Sequence, residues 1–236
     1  MQFLSVIGLT GGIATGKTTV SELFAQQGVA IVDSDAIAHS VIQPRKSAYK
    51  KIVATFGKSI LAPDGTIDRA KLGSIIFNDP EARSKLNSIT HPKIIYEMIK
   101  QTIFHFLLLR LVIVWNTPLL IETNLHKLCK CVVVVFAEPE TQLERLMKRN
   151  SLTFEEAISR INAQMLIHDK CRLADFVINN NGDLASTSSQ VAVILDKLRS
   201  RHWLAQKVFR VFLISAALLP IFFVVKLAIF SLIKLI

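Results

Sequence analysis

Residues 11–18 read Gly11-Gly12-Ile13-Ala14-Thr15-Gly16-Lys17-Thr18, the pattern G-x-x-x-x-G-K-[ST]. Each residue type has a use in holding phosphates. The glycines let the backbone take positive φ and come close to phosphate oxygens. Successive N–H groups then form an anion nest at a helix N-terminus. Lys17 can reach the β- and γ-phosphates of a nucleoside triphosphate, and the Thr18 hydroxyl can serve Mg²⁺. A second group of this kind is Asp33-Ser34-Asp35, at the end of an apolar run. Two carboxylates beside a phosphate loop could accept a hydroxyl proton and hold magnesium. The alternative for Asp35 is the N-cap of the next helix.

These groups need elements to position them. Strands are expected at residues 3–9, 29–32, 111–115, 132–136 and 174–179, where Val and Ile cluster. Helices are expected at 17–27, 35–42 and 49–56. Asp68 caps another to Phe77, Asp79-Pro80 opens the next, and a further one follows His91-Pro92. Glu138-Pro139 starts a helix to Arg149, and Thr153 with Glu156 reads as a capping box for one to about His168. A last helix spans 186–201. Strands alternating with helices predict an α/β domain with a parallel sheet. Residues 45–110 interrupt the alternation and read as a helical insertion on the substrate side. No N-K-x-D base-reading motif is present, so a kinase of small molecules fits better than a GTPase.

The chain has 236 residues, 51% hydrophobic and 19% charged, with a mean hydropathy of +0.42. That excludes a disordered chain or a small disulfide scaffold. Three cysteines, two of them spaced Cys129-x-Cys131, read as reduced thiols. The net charge is +10, but Lys207, Arg210, Lys226 and Lys234 place part of it in a tail without acids. No aromatic-interleaved basic stripe points to nucleic acid. Residues 211–233 form a run of twenty-three residues broken by one charge, Lys226. As a helix they would span about 35 Å, enough to cross a bilayer. Lys197, Arg199, Arg201, Lys207 and Arg210 precede the run and favour a cytoplasmic flank. A helix lying on a membrane or on the domain is the other reading. With no signal-peptide pattern at the N-terminus, the domain is expected to face the cytosol. The expected division is 1–202 for the phosphate-loop domain and 203–236 for the anchor.

The chain resembles the dephospho-CoA kinase family over about residues 4–183. The resemblance rests on 8–18, on Asp33-Ser34-Asp35-Ala36-Ile37-Ala38, and on Asp64-Gly65 with Ile67-Asp68-Arg69. It continues through Leu86-Asn87, His91-Pro92, Pro118-Leu119-Leu120 with Glu122, and Gln142 with Arg145 and Arg149. Arg160-Ile161 with Gln164, and Ala174-Asp175 through Asn180 and Gly182, complete it. It implies a three-layer P-loop kinase fold with a lid, to which the apolar C-terminal helix is added. The tail is similar to that of membrane-tailed members. The implied activity is ATP-dependent phosphorylation of the ribose 3′-hydroxyl of dephospho-CoA, with Mg²⁺. Asp33 then matches the general base, acting with Lys17. Gly11 to Thr18, Arg145, Arg149 and Asn180 match nucleotide-binding positions, and Thr18 the metal position. Asp35, His91 and Glu122 fall on the substrate side. One position departs: Asn116 stands where the family usually has Asp, near the magnesium. That leaves two alternatives: a membrane-anchored, nucleotide-binding pseudokinase acting as scaffold or regulator, and another small-molecule kinase. The mitochondrial outer membrane is preferred for the tail over the peroxisome or endoplasmic reticulum.

Overall fold

A computed structural model of the chain describes residues 5–108, 110 and 112–200. Residues 201–236, and with them the expected anchor at 211–233, lie outside the described residues. Five strands form one sheet: β1 (Ser5–Gly11), β2 (Ala30–Asp33), β3 (Val112–Asn116), β4 (Cys131–Phe136) and β5 (Phe176–Asn179). The order is β2-β3-β1-β4-β5 and every pairing is parallel. The Val-rich runs are buried along almost their whole length because helices cover both faces.

On one face lie α1 (Lys17–Gln26) and α9 (Leu184–Ser200). Phe24, Val20, Val191 and Leu195 meet Ile7, Leu9, Val133 and Val135 there. On the other lie α2 (Ser34–Val41) and α5 (Pro80–Leu107), where Ile37 and Met98 pack on Val32, Ile113 and Trp115. The insertion contains α3 (Ser47–Phe56) and α4 (Arg69–Asn78) and has its own small core around Ile52, Ile60, Ile67 and Leu72. The chain then runs through α6 (Pro139–Asn150), α7 (Phe154–Asn162) and α8 (Ile167–Arg172). Ile167 covers Val132 and Val134 of the sheet.

Three local expectations are corrected. No helix begins at His91-Pro92: α5 is continuous from Pro80 to Leu107 and carries Pro92 inside it. Its N-terminus is fixed by the Asp79 side chain, which accepts from Glu81 N and Ala82 N, and its inner face is held by Met98. Packing along the helix outweighs the one hydrogen bond a proline removes. The helix opened by the Thr153–Glu156 capping box stops at Asn162, and α8 is separate. The intervening residues include Gln164, whose Oε1 accepts from Ile13 N at 3.0 Å. Finally, Asp33 rather than Asp35 caps α2, its Oδ1 accepting from Asp35 N and Ala36 N, each at 2.9 Å. Among the described residues no helix is long and apolar enough to cross a membrane.

Candidate nucleotide and substrate site

A parallel sheet presents the C-terminal ends of all its strands at one pole, and ligands bind there. β1 ends at Gly11 and feeds the phosphate loop, which feeds α1. Thr15 is buried and ties the loop to itself, Oγ1 donating to Gly12 O at 3.0 Å. Gly16 sits at φ 88° as the residue before α1, and no side chain caps that helix. The first N–H groups of α1 have no intrahelical acceptor and point toward the place where an anion would sit. A Cβ on Gly16 would collide with Asn180 Nδ2. Ala14 also takes a left-handed conformation, φ 60°, at a strain of about 1–2 kcal/mol. Thr18 is exposed on the first turn.

The register places Leu9, Asn116 and Asp33 in one row across β1, β3 and β2. Side chains follow that row. Lys17 Nζ donates to Asn116 Oδ1 at 2.5 Å, and Asn116 Nδ2 donates to Asp33 Oδ2 at 2.6 Å. The Ser34 hydroxyl donates to Asn116 O at 3.2 Å and holds the row against α2. Asn116 is buried, and its amide joins a cation to a carboxylate with each end in the chemically matched sense. Lys17 has its pKa lowered, chiefly by burial; Asp35 and Asp33 oppose this and Lys170 adds to it. Asp35 has its pKa raised, first by enclosure in the crevice and further by Asp33, against the pull of Lys17 and His39.

Asp35 and His91 line an apolar cleft of about 310 Å³ with Ile94, Met98, Leu119 and Gln164. The structure therefore brings Asp33, Asp35, Lys17 and His91 to the same pole, and His91 reaches the cleft from the middle of α5. Glu122 is not among the cleft-lining residues. It faces the fully buried Lys170 of α8, Nζ to Oε1 2.8 Å. Lys170 also donates to Pro118 O at 2.9 Å and Gly11 O at 3.4 Å. Sequence reasoning passed over Lys170, because a single lysine in Ile167-His168-Asp169-Lys170 has no motif to announce it. Its place three residues after the inward-facing Ile167 was the available signal.

Around the phosphate loop, Asn180 Nδ2 donates to Thr15 O at 2.8 Å and Asn180 Oδ1 accepts from Thr187 Oγ1 at 2.9 Å. Arg145 donates to Asn180 O at 3.0 Å, so its guanidinium stands beside the loop. Arg149 lies exposed one turn further on and bonds Asn150 Oδ1. The N–H of Ile13 is occupied by Gln164, which couples the segment between α7 and α8 to the loop. Gln142 is buried against Gly12 and donates to Ala137 O at 2.9 Å. Cys129 and Cys131 are free thiols, pushed by burial to about 12 and about 11. No cluster of three or more His, Cys, Asp or Glu groups fit to hold a metal exists among the described residues.

A model of the family described as dephospho-CoA kinase matches residues 5–186. The chain belongs to the dephospho-CoA kinase family. It is 48% identical over 191 residues to the dephospho-CoA kinase of a Listeria monocytogenes strain, covering 81% of this chain and 96% of the relative. A relative of the same name from Carboxydothermus hydrogenoformans is 46% identical over 209 residues, covering 86% and 98%. Among solved structures, one from Thermus thermophilus superposes with a TM-score of 0.70 at 28% identity, covering 84% of this chain and 99% of that one. Dephospho-CoA kinase from Campylobacter jejuni gives 0.57 at 30% identity, covering 83% and 97%. The P-loop kinase fold around a five-stranded parallel sheet is thus common to this chain and to the dephospho-CoA kinases it matches.

Proposed function

We propose that the chain transfers the γ-phosphoryl group of ATP to the ribose 3′-hydroxyl of dephospho-CoA. The observation that carries this is the Lys17–Asn116–Asp33 row, set between the uncapped phosphate loop and the cleft in a dephospho-CoA kinase chain. The phosphate-loop amides and Lys17 bind the nucleotide phosphates. Arg145 and Arg149 reach them from α6, and Asn180 steadies the loop behind them. Asp33 is fixed through Oδ1 by two N–H groups and through Oδ2 by Asn116. Oδ2 keeps a lone pair for the substrate hydroxyl and takes its proton late, as charge spreads in a loose transition state. Asp35 and His91 orient the acceptor in the cleft. Glu122 acts through Lys170, which supports the carbonyls of Gly11 and Pro118.

Mg²⁺ fits this site. It takes hard oxygen ligands and draws several from phosphates and water, so it does not need a three-carboxylate cluster. The exposed Thr18 hydroxyl and the Asp35 carboxylate are donors of the right kind. When bound, the ion neutralises charge on the β- and γ-phosphates.

The test is ATP-dependent conversion of dephospho-CoA to CoA by the full chain, with Lys17→Ala as the control for contaminating kinase. Conversion is expected, and it should vanish in the control. Asp33→Asn should lower kcat by about 10²–10⁴, whereas Asp35→Asn should act mainly on KM. ATP binding without conversion at any magnesium concentration would instead mark a pseudokinase.

The apolar run at 211–233 and its basic flank support a second part of the reading: a tail anchor that leaves the kinase domain facing the cytosol, on the mitochondrial outer membrane rather than the peroxisome or endoplasmic reticulum. Alkaline extraction and protease accessibility of the tagged chain in isolated organelles test it.

A further inference from the structure

The pole opposite the active site carries an unusual surface. Among the described residues, the segments that descend on the α5 face to β3, β4 and β5 each carry exposed leucine near their ends. Leu107 and Leu108 precede β3 and are 70% and 55% exposed; Leu128 precedes β4 at 58% and Leu173 precedes β5 at 53%. Phe104, one turn up α5, is 58% exposed. Single exposed apolar residues need no explanation, but a rim of large ones at one pole does.

The charges between them are mostly basic. Arg110 follows Leu108, and Lys127 and Lys130 flank Leu128. Of the acids nearby, Asp175 accepts from Val132 N at 2.7 Å and Asp169 is paired with Arg172 at 3.0 Å. Asp196 stands a turn up α9.

α9 ends at this same pole. Arg199, at the end of α9, donates to Gln27 O at 2.8 Å. Arg110, just past the end of α5, donates to Gly28 O at 2.8 Å. The exit of α9 and the exposed end of α5 are thereby tied to neighbouring residues of one turn. Ten residues, including Arg201, Lys207 and Arg210, separate Ser200 from the apolar run that begins at Val211. Even fully extended, they reach no more than about 35 Å.

We propose that this pole is a membrane-docking face: the leucine rim sits at the headgroup boundary of an anionic bilayer, with Arg110 and Lys127 against its phosphates. The proposal rests on the tail-anchor reading and adds to it a fixed orientation of the domain. Leucine beside lysine and arginine matches the surface of an interfacial binder.

The experiment is amide hydrogen exchange on the full chain. It compares vesicles of phosphatidylcholine with phosphatidylserine, vesicles of phosphatidylcholine alone, and non-ionic detergent. Exchange in segments 103–110 and 125–131 is expected to slow on the order of tenfold on the mixed vesicles. It should slow less on phosphatidylcholine alone, and the turn at 62–66 should not change. Leu107→Glu with Leu128→Glu, both at exposed sites, should abolish the slowing and leave conversion of dephospho-CoA in detergent intact. Sedimentation with vesicles but no slowing overturns the docking face and leaves the anchor standing. Equal slowing on both kinds of vesicle overturns the anionic selection. Equal slowing in detergent overturns lipid as the occupant, in favour of the chain's own tail or, if it varies with protein concentration, a second copy. Failure to sediment at all overturns the anchor and the docking face together.

Discussion

Replacing Asn116 with aspartate exchanges the amide nitrogen that faces Asp33 for a second oxygen. Two carboxylates would then meet across the 2.6 Å now spanned by a hydrogen bond. At an effective dielectric of about 20 their repulsion is about 6 kcal/mol, and the attraction of Lys17, now 2.5 Å from Asn116, is of the same size. With the Coulomb terms offsetting each other, the balance falls to the lost donor, a charge-assisted bond worth about 1.5–3 kcal/mol. A proton shared between the carboxylates restores it. The folded variant therefore holds a proton that the unfolded chain releases near pH ~4. A carboxyl pKa raised by folding contributes stability at low pH that is lost as pH climbs through the folded value. Without magnesium, Asn116→Asp should nearly match the parent in Tm at about pH 4 and fall about 4–8 °C below it by pH 8. Adding Mg²⁺ with a non-hydrolysable ATP analogue should close the gap. The variant should also outpace the parent at limiting magnesium, because the second carboxylate attracts the ion. A Tm difference that is flat with pH and indifferent to magnesium would refute the Lys17–Asn116–Asp33 row as drawn.

Gly16→Ala should weaken ATP binding more than tenfold by isothermal titration, since φ 88° costs about 1–2 kcal/mol for alanine and the new methyl displaces Asn180 from Thr15 O. Lys170→Met should destabilise by about 3–5 kcal/mol in urea unfolding, because it strands Glu122 beside an apolar side chain. Adding Glu122→Gln should recover part of that loss. Cys129, pushed to about 12, and Cys131, to about 11, should resist a thiol reagent at pH 8 in the folded protein and react at once in urea. Their raised values mean a contribution to stability that is whole below about pH 9 and declines as pH rises from there, readable as a falling Tm.

The sheet was legible from Val and Ile runs because buried parallel strands leave little else in the sequence, and the phosphate loop was legible because its spacing is set by the ligand. Capping residues gave helix starts at Asp68, Asp79 and Thr153 for the same local reason. What local rules misjudged was settled by distant contacts. Pro92 reads as a boundary, yet α5 passes through it because a core on its inner face holds both halves. The segment after Asn162 reads as helix, yet it leaves the helix where Gln164 meets Ile13 N, a partner one hundred and fifty-one residues away. Asn116 was visible as a departure from a family pattern, but its role in joining Lys17 to Asp33 depends on a strand register that no single strand encodes. Lys170 was marked only by its place three residues after Ile167, since its partners come from two other segments.

α9 begins next to Asn180, which Thr187 touches, and ends beside Gln27. Its seventeen residues make a rod of about 25 Å. A charged surface docked at the pole where α9 ends would therefore lie about three screening lengths from the phosphate loop at physiological salt. Its potential there has decayed to roughly one twentieth. A polyanionic nucleotide can approach as it would in free solution, even with the protein seated on a negative surface: the helix acts as a standoff that insulates the chemistry from its address.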